Sequence, residues 1–569
     1  MAKFRPGSKL PSLIVVLLLA GPVLAGLAGT VLPAFGYLPV LGAREITLEP
    51  FAQLFSMPGL LQSTALSFWT GLVASLVSLA IVLCFSAAWS GTQTFQRVSR
   101  FLSPLLSVPH AAAAIGLAFL IAPSGFLARL LSPWATGWER PPDLLLVNDT
   151  YGVAMTLGLV AKEVPFLFLM TLAALNRPEI KSYTKVATSL GYGRMSGFFK
   201  VILPQVYPLI RLPMLAVIAY STSVVDVAVI LGPTTPAPLA ARLVVWMNDP
   251  DLSLRLAGSA GALLQLGISA GAILVYLLFE ACVTKLSSTR LALGHRIKPD
   301  GAGRIAALGT MVFIVSAMCL SLLVLMIWSL AKSWWYPAPL PQNWSVSALS
   351  MALTQTPQIL GTTILLGVLA ALAALISTSL TLWLLETKTH AAEPVDPQLR
   401  TLIFLPLLLP QIAFLFGLKM LFLMIGLDGS FTAVLLTHLV FVLPYAFLAL
   451  SDPWQRQDPR YTRVAASMGA SRARIFFRVQ LPMLTRPVLV TLAVALAVSV
   501  GQYLPTLMIG AGRVVTVTTE SVALASGGNR QITAVYALLQ LLIPFAGFAV
   551  AAAIPAVLFK NRTALRLDA

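Results

Sequence analysis

Charge is scarce in this sequence, and acid is the scarcer sign. Asp, Glu, Lys and Arg together make up 10% of its 569 residues, with 20 acidic against 38 basic side chains. An average soluble domain carries about 25% charged residues, so this chain has too few to clothe a water-facing surface. Cysteine is also sparse. Cys84, Cys282 and Cys319 each sit in an apolar run without a CxxC, which excludes a disulfide framework and a zinc site and makes them small core residues. The four histidines, His110, His295, His390 and His438, lie far apart with no HxH or HxxxH spacing, so a metal centre has no support. Nowhere does GxxxxGK[ST] occur, so no loop of this chain is built to cradle ATP phosphates. No Ser, His and Asp stand at catalytic spacing, which leaves a membrane enzyme without its machinery.

What the sequence has in abundance is apolar length. Hydrophobic residues make up 58% and the mean hydropathy is +0.88. A hydrocarbon crossing takes about 20 apolar residues. About twelve such stretches follow one another, at 13–35, 61–89, 102–122, 152–175, 209–231, 257–280, 305–330, 359–385, 402–424, 431–450, 488–509 and 532–559. The expected fold is an all-α integral membrane protein. The first stretch also has the form of a secretory signal, with Lys3, Arg5 and Lys9 before it and small residues at 25–29.

The net charge of +18 invites a nucleic-acid reading, but the basic residues fall in short blocks between apolar stretches. With the N-terminus inside, the inner loops hold about 28 Lys and Arg and the outer ones about 8, the asymmetry that sets membrane orientation. Both termini then lie in the cytoplasm of a multi-pass cell (inner) membrane protein, with lipid and not nucleic acid as its surroundings.

Two inner loops resemble each other. Tyr183–Pro204 reads YTKVATSLGYGRMSGFFKVILP and Tyr461–Pro482 reads YTRVAASMGASRARIFFRVQLP, identical at about 12 of 22 positions without a gap. Pro165 and Pro444 also correspond, as do Pro109 and Pro410, each followed seven residues later by Gly116 or Gly417. A single long period is a duplicated bundle and not a solenoid. The chain divides into a first half at 1–284, a polar linker at 285–304 and a second half at 305–569. Parallel repeats imply a pseudo-two-fold axis along the membrane normal with a pathway between the halves.

The repeated loop, spanning 177–208 and 452–486, has a physical reading. Ala187 and Gly191 are four residues apart, on one helical face that permits close approach. Gly191 and Gly469 supply the positive φ of a turn. Beyond them, Phe198, Phe199, Phe476 and Phe477 give a short helix an apolar edge, and Arg194, Lys200, Arg472 and Arg478 a basic one. Pro204 and Pro482 suit the first turn of the next span. An interfacial helix explains the charge, but not why one loop was kept twice while the bundles around it drifted.

Here the chain resembles the permease subunits of binding-protein-dependent ABC importers. Their cytoplasmic signature E-A-A-x3-G-x9-I-x-L-P is matched at Ala187, Gly191, Leu203 and Pro204, and again at Ala465, Gly469, Leu481 and Pro482. The signature Glu is replaced by Lys185 and Arg463, the first Ala by Val186 and Val464, and the Ile by Val201 and Val479. Any ion pair made by that Glu is missing here. The resemblance implies the type I importer fold, with two six-helix repeats in one chain and each loop forming a helix that couples to an ATPase. It implies two copies of a cytoplasmic ATPase that use ATP, an extracytoplasmic solute-binding protein, and no cofactor on this chain. Fused double permeases occur in the ferric-iron and thiamine branches, and 226–236 and 502–520 look most like the Ynj-type importers, linked to thiamine.

Polar groups inside the spans are the pathway candidates: Lys162, Glu163, Asp226 and Gln502, with Gln411, Lys419, His438 and Gln540 nearby. A charge at mid-membrane costs about 2.5–3.5 kcal/mol on insertion scales, so it faces the bundle interior. Lys162 and Glu163 are about 100° apart around a helix and each needs another partner. The rival reading is a twelve-span secondary transporter, which has no use for a paired loop that fits an ATPase.

Overall fold

The computed structural model describes residues 9–39, 42–292, 300–386 and 397–558. Lys3, Arg5, His295, His390 and the basic tail at 560–566 lie outside the described residues.

Among these, nine helices are long and apolar enough to cross a membrane, and a tenth span is bent by 77° between Arg472–Met483 and Thr485–Val500. The two remaining expected crossings are the helix Lys9–Ala34 and the short Gln411–Met424. Among the described residues the only strands are the three-residue and two-residue pair Ala331–Ser333 and Asn343–Trp344. The chain is an all-α membrane protein. Leu278, Phe279, Phe313, Ile376 and Val557 stand exposed on their helices. In water such a surface would aggregate; facing acyl chains it needs no cover. The same logic corrects the reading of two cysteines: Cys282 and Cys319 are free and exposed, and only Cys84 is partly buried. An apolar run in a membrane chain is shared between lipid and core, so its small residues need not face inward.

Four expected spans are broken, and in the same places in both repeats. The 102–122 stretch forms Gln93–Leu105 and His110–Ile121, and 402–424 forms Pro397–Leu408 and Gln411–Met424. Pro109 and Pro410 adopt extended conformations before the second helix of each pair, because proline disfavours helix in the residue before it and cannot donate to the turn behind. Likewise 209–231 forms Leu203–Ser223 and Asp226–Leu231, and 488–509 forms Thr485–Val500 and Leu504–Gly510.

The halves are joined by exchange. The first helix of each packs on the short helix that follows the repeated proline in the other, and glycine makes both crossings possible. A Cβ on Gly116 would lie 2.9 Å from the Ser321 carbonyl oxygen, and one on Gly29 would lie 2.8 Å from Gly417 Cα. At the second crossing Thr30 Oγ1 donates to Gly26 O and accepts from the Gly417 amide, both at 3.0 Å. The spacing Pro-x6-Gly seen twice in the sequence is thus a break followed by a backbone-to-backbone contact. Within the first half the helix Leu60–Trp89 buries a small-residue face of Ser67, Gly71, Ala74 and Ser78; a Cβ at Gly71 would come 2.6 Å from Thr222 Cα.

At the end of the bundle away from the repeated loops, two arginines stitch the halves together. Arg530 donates to Ser124 O at 3.0 Å and to Ser124 Oγ at 2.6 Å. Arg129 donates to Ser124 O and Trp334 O, and both guanidinium groups lie within 6 Å of the Trp328 ring. Aromatic faces stand in for carboxylates as partners of these cations.

Candidate functional site: the repeated loop and the polar groups between the halves

The two loops fold alike around their glycine turns. A short helix, Pro178–Ser189 or Pro459–Ser467, opens with proline in its first turn, where the missing N–H costs nothing. It closes on Gly191 (φ +75°) or Gly469 (φ +79°). The Gly191 amide bonds Thr188 O and the Tyr192 amide bonds Ala187 O; in the second copy Gly469 bonds Ala466 O and Ala470 bonds Ala465 O. This double closure of the last carbonyls requires a left-handed residue at the turn. The sequence reading put the short amphipathic helix after the glycine, with Ala187 and Gly191 on one helical face. The structure puts the helix before it, and Gly191 lies beyond the helix end. Ala187 instead packs against Gly197, where a Cβ would sit 3.2 Å from it.

After the turn the chain restarts at Arg194–Gly197 or Arg472–Ile475 and passes through one π-helical turn, Phe198–Ile202 or Phe476–Gln480, straight into Leu203–Ser223 in the first copy but into Leu481–Met483 and a 77° bend before Thr485–Val500 in the second. The Leu203 amide bonds Phe198 O, five residues back, and the Leu481 amide bonds Phe476 O. An α-helix would drive the ring of Pro204 or Pro482 into the carbonyl four residues earlier; widening by one residue relieves that clash and keeps the chain helical. The phenylalanines therefore belong to the foot of the span. Phe198 is fully buried, while Phe476 is half-buried beside Trp383 and Trp454, with ring centroids 6.3 and 6.0 Å away.

The outward face repeats as well. Ala187 and Ala465 are each 5% exposed, whereas Tyr183, Val186, Leu190 and Phe199, and their counterparts Tyr461, Val464, Met468 and Phe477, are all exposed. Each loop thus presents four large apolar side chains at matched positions. Around them stand exposed Lys185 and Arg194 in one copy and Arg463, Arg472 and Arg478 in the other. Leu203 and Leu481 are half-buried, and Pro204 and Pro482 exposed at the foot of the span. Lys200 lies with its ammonium 5.4 Å from the Tyr192 ring centre. Sequence reasoning missed how the first loop is braced. Asp300 accepts from the Met195 amide at 3.0 Å, Arg194 donates to Ser90 O at 3.3 Å, and Trp89 donates to Arg304 O at 3.1 Å. A lone acid in a basic linker was the available signal.

The polar groups in the spans separate into two kinds. His438 is held between Ser499 and Thr506, at 2.8 and 2.9 Å, and Lys419 donates to Asn248 at 3.0 Å; these are bundle contacts. Lys162 donates to Leu106 O at 2.8 Å, and its neighbour Glu163 faces His110 at 3.6 Å, so the two have separate partners as their angular separation requires. Asp226 lies just past the break in its span, with the Tyr220 hydroxyl 3.5 Å away. Gln502 is buried in the equivalent break of the second half, beside the half-buried Tyr503.

A helical membrane bundle whose two halves cross through glycine contacts and present twin apolar-and-basic loops at one end is a transport protein of the permease class. Residues 383–560 match the family described as "Binding-protein-dependent transport system inner membrane component". The chain is also 34% identical over 528 residues to the Escherichia coli (strain K12) protein "Inner membrane ABC transporter permease protein YnjC", covering 91% of this chain and 93% of that one. It belongs to this family of ABC transporter inner-membrane permeases, a transporter family and not an enzyme family, whose members work with an ATPase partner.

Proposed function

We propose that this chain carries both halves of the permease of an importer. It moves a small solute from an extracytoplasmic binding protein to the cytoplasm by alternating access. Each half, 1–284 and 305–569, docks one ATPase subunit through its own loop at 177–208 or 452–486, so two ATPase copies serve one permease. ATP is bound and split by those partners. Within each loop, Gly191 or Gly469 sets the turn. The exposed apolar quartet fills a groove on the ATPase, and Lys185, Arg194, Arg463, Arg472 and Arg478 lie against its acidic rim. Lys162, Glu163, Asp226 and Gln502 border the pathway between the halves, and a thiamine-like compound or ferric iron is the substrate suggested by the branch the sequence resembles.

The observation that carries this reading is the duplication of one surface down to its backbone: the same left-handed glycine, the same π-turn and the same four exposed apolar residues. A twelve-span secondary transporter gives no reason to keep that surface twice.

The reading requires both loops, and both termini, on the ATPase side of the membrane. In a background lacking Cys84, Cys282 and Cys319, single cysteines at Ser189 and Ser467, both exposed, should resist a membrane-impermeant thiol reagent in intact cells and react after lysis. A cysteine at Ser253, exposed in the first turn of the helix Leu252–Ala292, should react in intact cells. Labelling of either loop probe from outside would refute the orientation.

A further inference from the structure

We propose that the crevice between the halves bounded by His110, Glu163, Tyr220, Asp226, Tyr445 and Tyr503 is a selectivity site for an organic cation. This rests on the permease reading and names the class of solute its pathway admits.

Five separate elements bring these residues together. His110 opens the helix His110–Ile121, Glu163 sits in the middle of Val153–Leu175, and Tyr220 and Asp226 flank the break after Leu203–Ser223. Tyr445 comes from the middle of Phe431–Gln455, and Tyr503 from the break before Leu504–Gly510. The rings of His110 and Tyr220 are 4.7 Å apart. The Glu163 carboxylate is within electrostatic reach of the Tyr220 and Tyr445 phenols, and Asp226 of Tyr503 and His110.

These side chains lie deep in the bundle, yet His110 is 30% exposed and all three tyrosines are partly accessible. The cluster is therefore not fully sealed within the bundle. Glu163, at 4% exposure, is poorly satisfied for a buried acid, while Asp226, at 6%, also accepts from the amides at 226 and 227. Among the described residues no hydrogen bond reaches Glu163, whose ionic neighbour is His110 at 3.6 Å, and the one side-chain donor to Asp226 is Tyr220 at 3.5 Å. Lys162, next to Glu163 in sequence, donates to Leu106 O and stands within electrostatic reach of that carboxylate. Around the two carboxylates stand one imidazole, one ammonium and three phenol rings, whose negative faces attract cations.

The fold itself does not need these charges. The repeat places Gln411 where the first half has His110, Val442 where it has Glu163, Val498 where it has Tyr220 and Leu504 where it has Asp226. The second half builds the same helices and the same breaks with neutral residues. Buried charge retained on one side of a pseudo-two-fold axis, where the membrane interior penalises it, points to something that charge binds. Among the described residues no three His, Cys, Asp or Glu side chains are grouped to hold a metal ion, and the rings offer π-faces, so the occupant is an organic cation.

The test uses thiol reagents of opposite charge as probes. Tyr503→Cys, in protein lacking the native cysteines and reconstituted in nanodiscs, is treated with trimethylammonium-ethyl or sulfonatoethyl methanethiosulfonate. Rates are normalised to those of free cysteine. The cationic reagent should be favoured by about tenfold or more, the enrichment expected where low-dielectric walls focus a field. Adding Glu163→Gln and Asp226→Asn should bring the normalised ratio to near one. Choline should slow the labelling, while its uncharged isostere 3,3-dimethylbutan-1-ol should not. Tyr445→Cys serves as a second reporter on the opposite wall should the first variant fail to give a monodisperse protein. A normalised ratio near one in the starting protein, a ratio unmoved by the acid substitutions, or no reaction at either position would overturn the proposal. Because the labelling needs no ATPase, failure here and failure of ATPase docking are read separately.

Discussion

Gly469→Val is expected to cut transport-coupled ATP hydrolysis by more than about tenfold, with no loss of protein from the membrane. The reason is confined to the backbone. Gly469 holds φ +79°, and a Cβ placed there would meet nothing within 4 Å, so the substitution causes no clash. It does penalise the left-handed conformation by about 1–2 kcal/mol, more for a β-branched side chain. The turn then opens, and the helix Pro459–Ser467 loses the two bonds that close its last carbonyls. Gly191→Val should act alike, since Gly191 closes the first loop in the same way at φ +75°. Moving a permease from 1:99 to 99:1 between its two states takes about 5.5 kcal/mol of differential binding. If two loops carry that load, neither alone suffices, and each single variant should be severely impaired. Gly469→Asn is the control, because asparagine tolerates the left-handed region, and it should retain most activity. The assay is ATP hydrolysis by the reconstituted complex with and without loaded binding protein. Wild-type stimulation in both valine variants would remove the turns from the mechanism.

Gly417→Leu is expected to abolish the folded chain. A Cβ at Gly417 would overlap the Gly26 carbonyl and come within 2.6 Å of the Thr30 amide nitrogen. Those are backbone atoms of the opposite helix, with no flexible side chain to give way. Overpacking of a close-packed site costs about 1–3 kcal/mol when neighbours can shift, and here the crossing also ties the first helix of one half to the body of the other. Gly417→Ala should lower the melting temperature by several degrees, and Gly417→Leu should leave no monodisperse peak in detergent. Gly267→Ala, in a long helix where a Cβ meets nothing within 4 Å, should behave as the parent does. Size-exclusion chromatography and thermal unfolding of the three variants decide it. A stable, monodisperse Gly417→Leu would mean that the first helix does not cross there.

Much of this architecture is legible in the residues because the relevant signals are local or repeated. Apolar length gives the spans. The gapless match of Tyr183–Pro204 to Tyr461–Pro482 gives the twin loops, and the Pro-x6-Gly spacing marks both crossings. What hydropathy does not reveal is where an apolar run stops being one helix. The residues at 106–109, 224–225 and 409–410 are nearly as apolar as their surroundings, and only local backbone geometry, next to proline in two of them, interrupts the helix; Gln502 alone marks the fourth break. The π-turns were hidden for a related reason. Leu-Pro reads as a helix start, and the chain instead remains helical through it by taking one wide turn. The polar crevice needed the fold most of all. Glu163 and Asp226 stand out in sequence, but His110, Tyr445 and Tyr503 are unremarkable until five elements bring them together. The bracing of the first loop by Asp300 likewise joins residues about a hundred positions apart.

The central claim is that both repeated loops dock on an ATPase. Photo-crosslinking from their tips tests it most directly. A benzoylphenylalanine at Leu190 or at Met468, each exposed beside its left-handed glycine, should give a covalent adduct with the ATPase subunit on irradiation of the assembled complex. The same probe at the exposed, lipid-facing Phe313 should give none. An ATPase adduct from both loops and not from Phe313 is the predicted result; a complex that transports its solute while neither loop crosslinks to an ATPase would contradict the account.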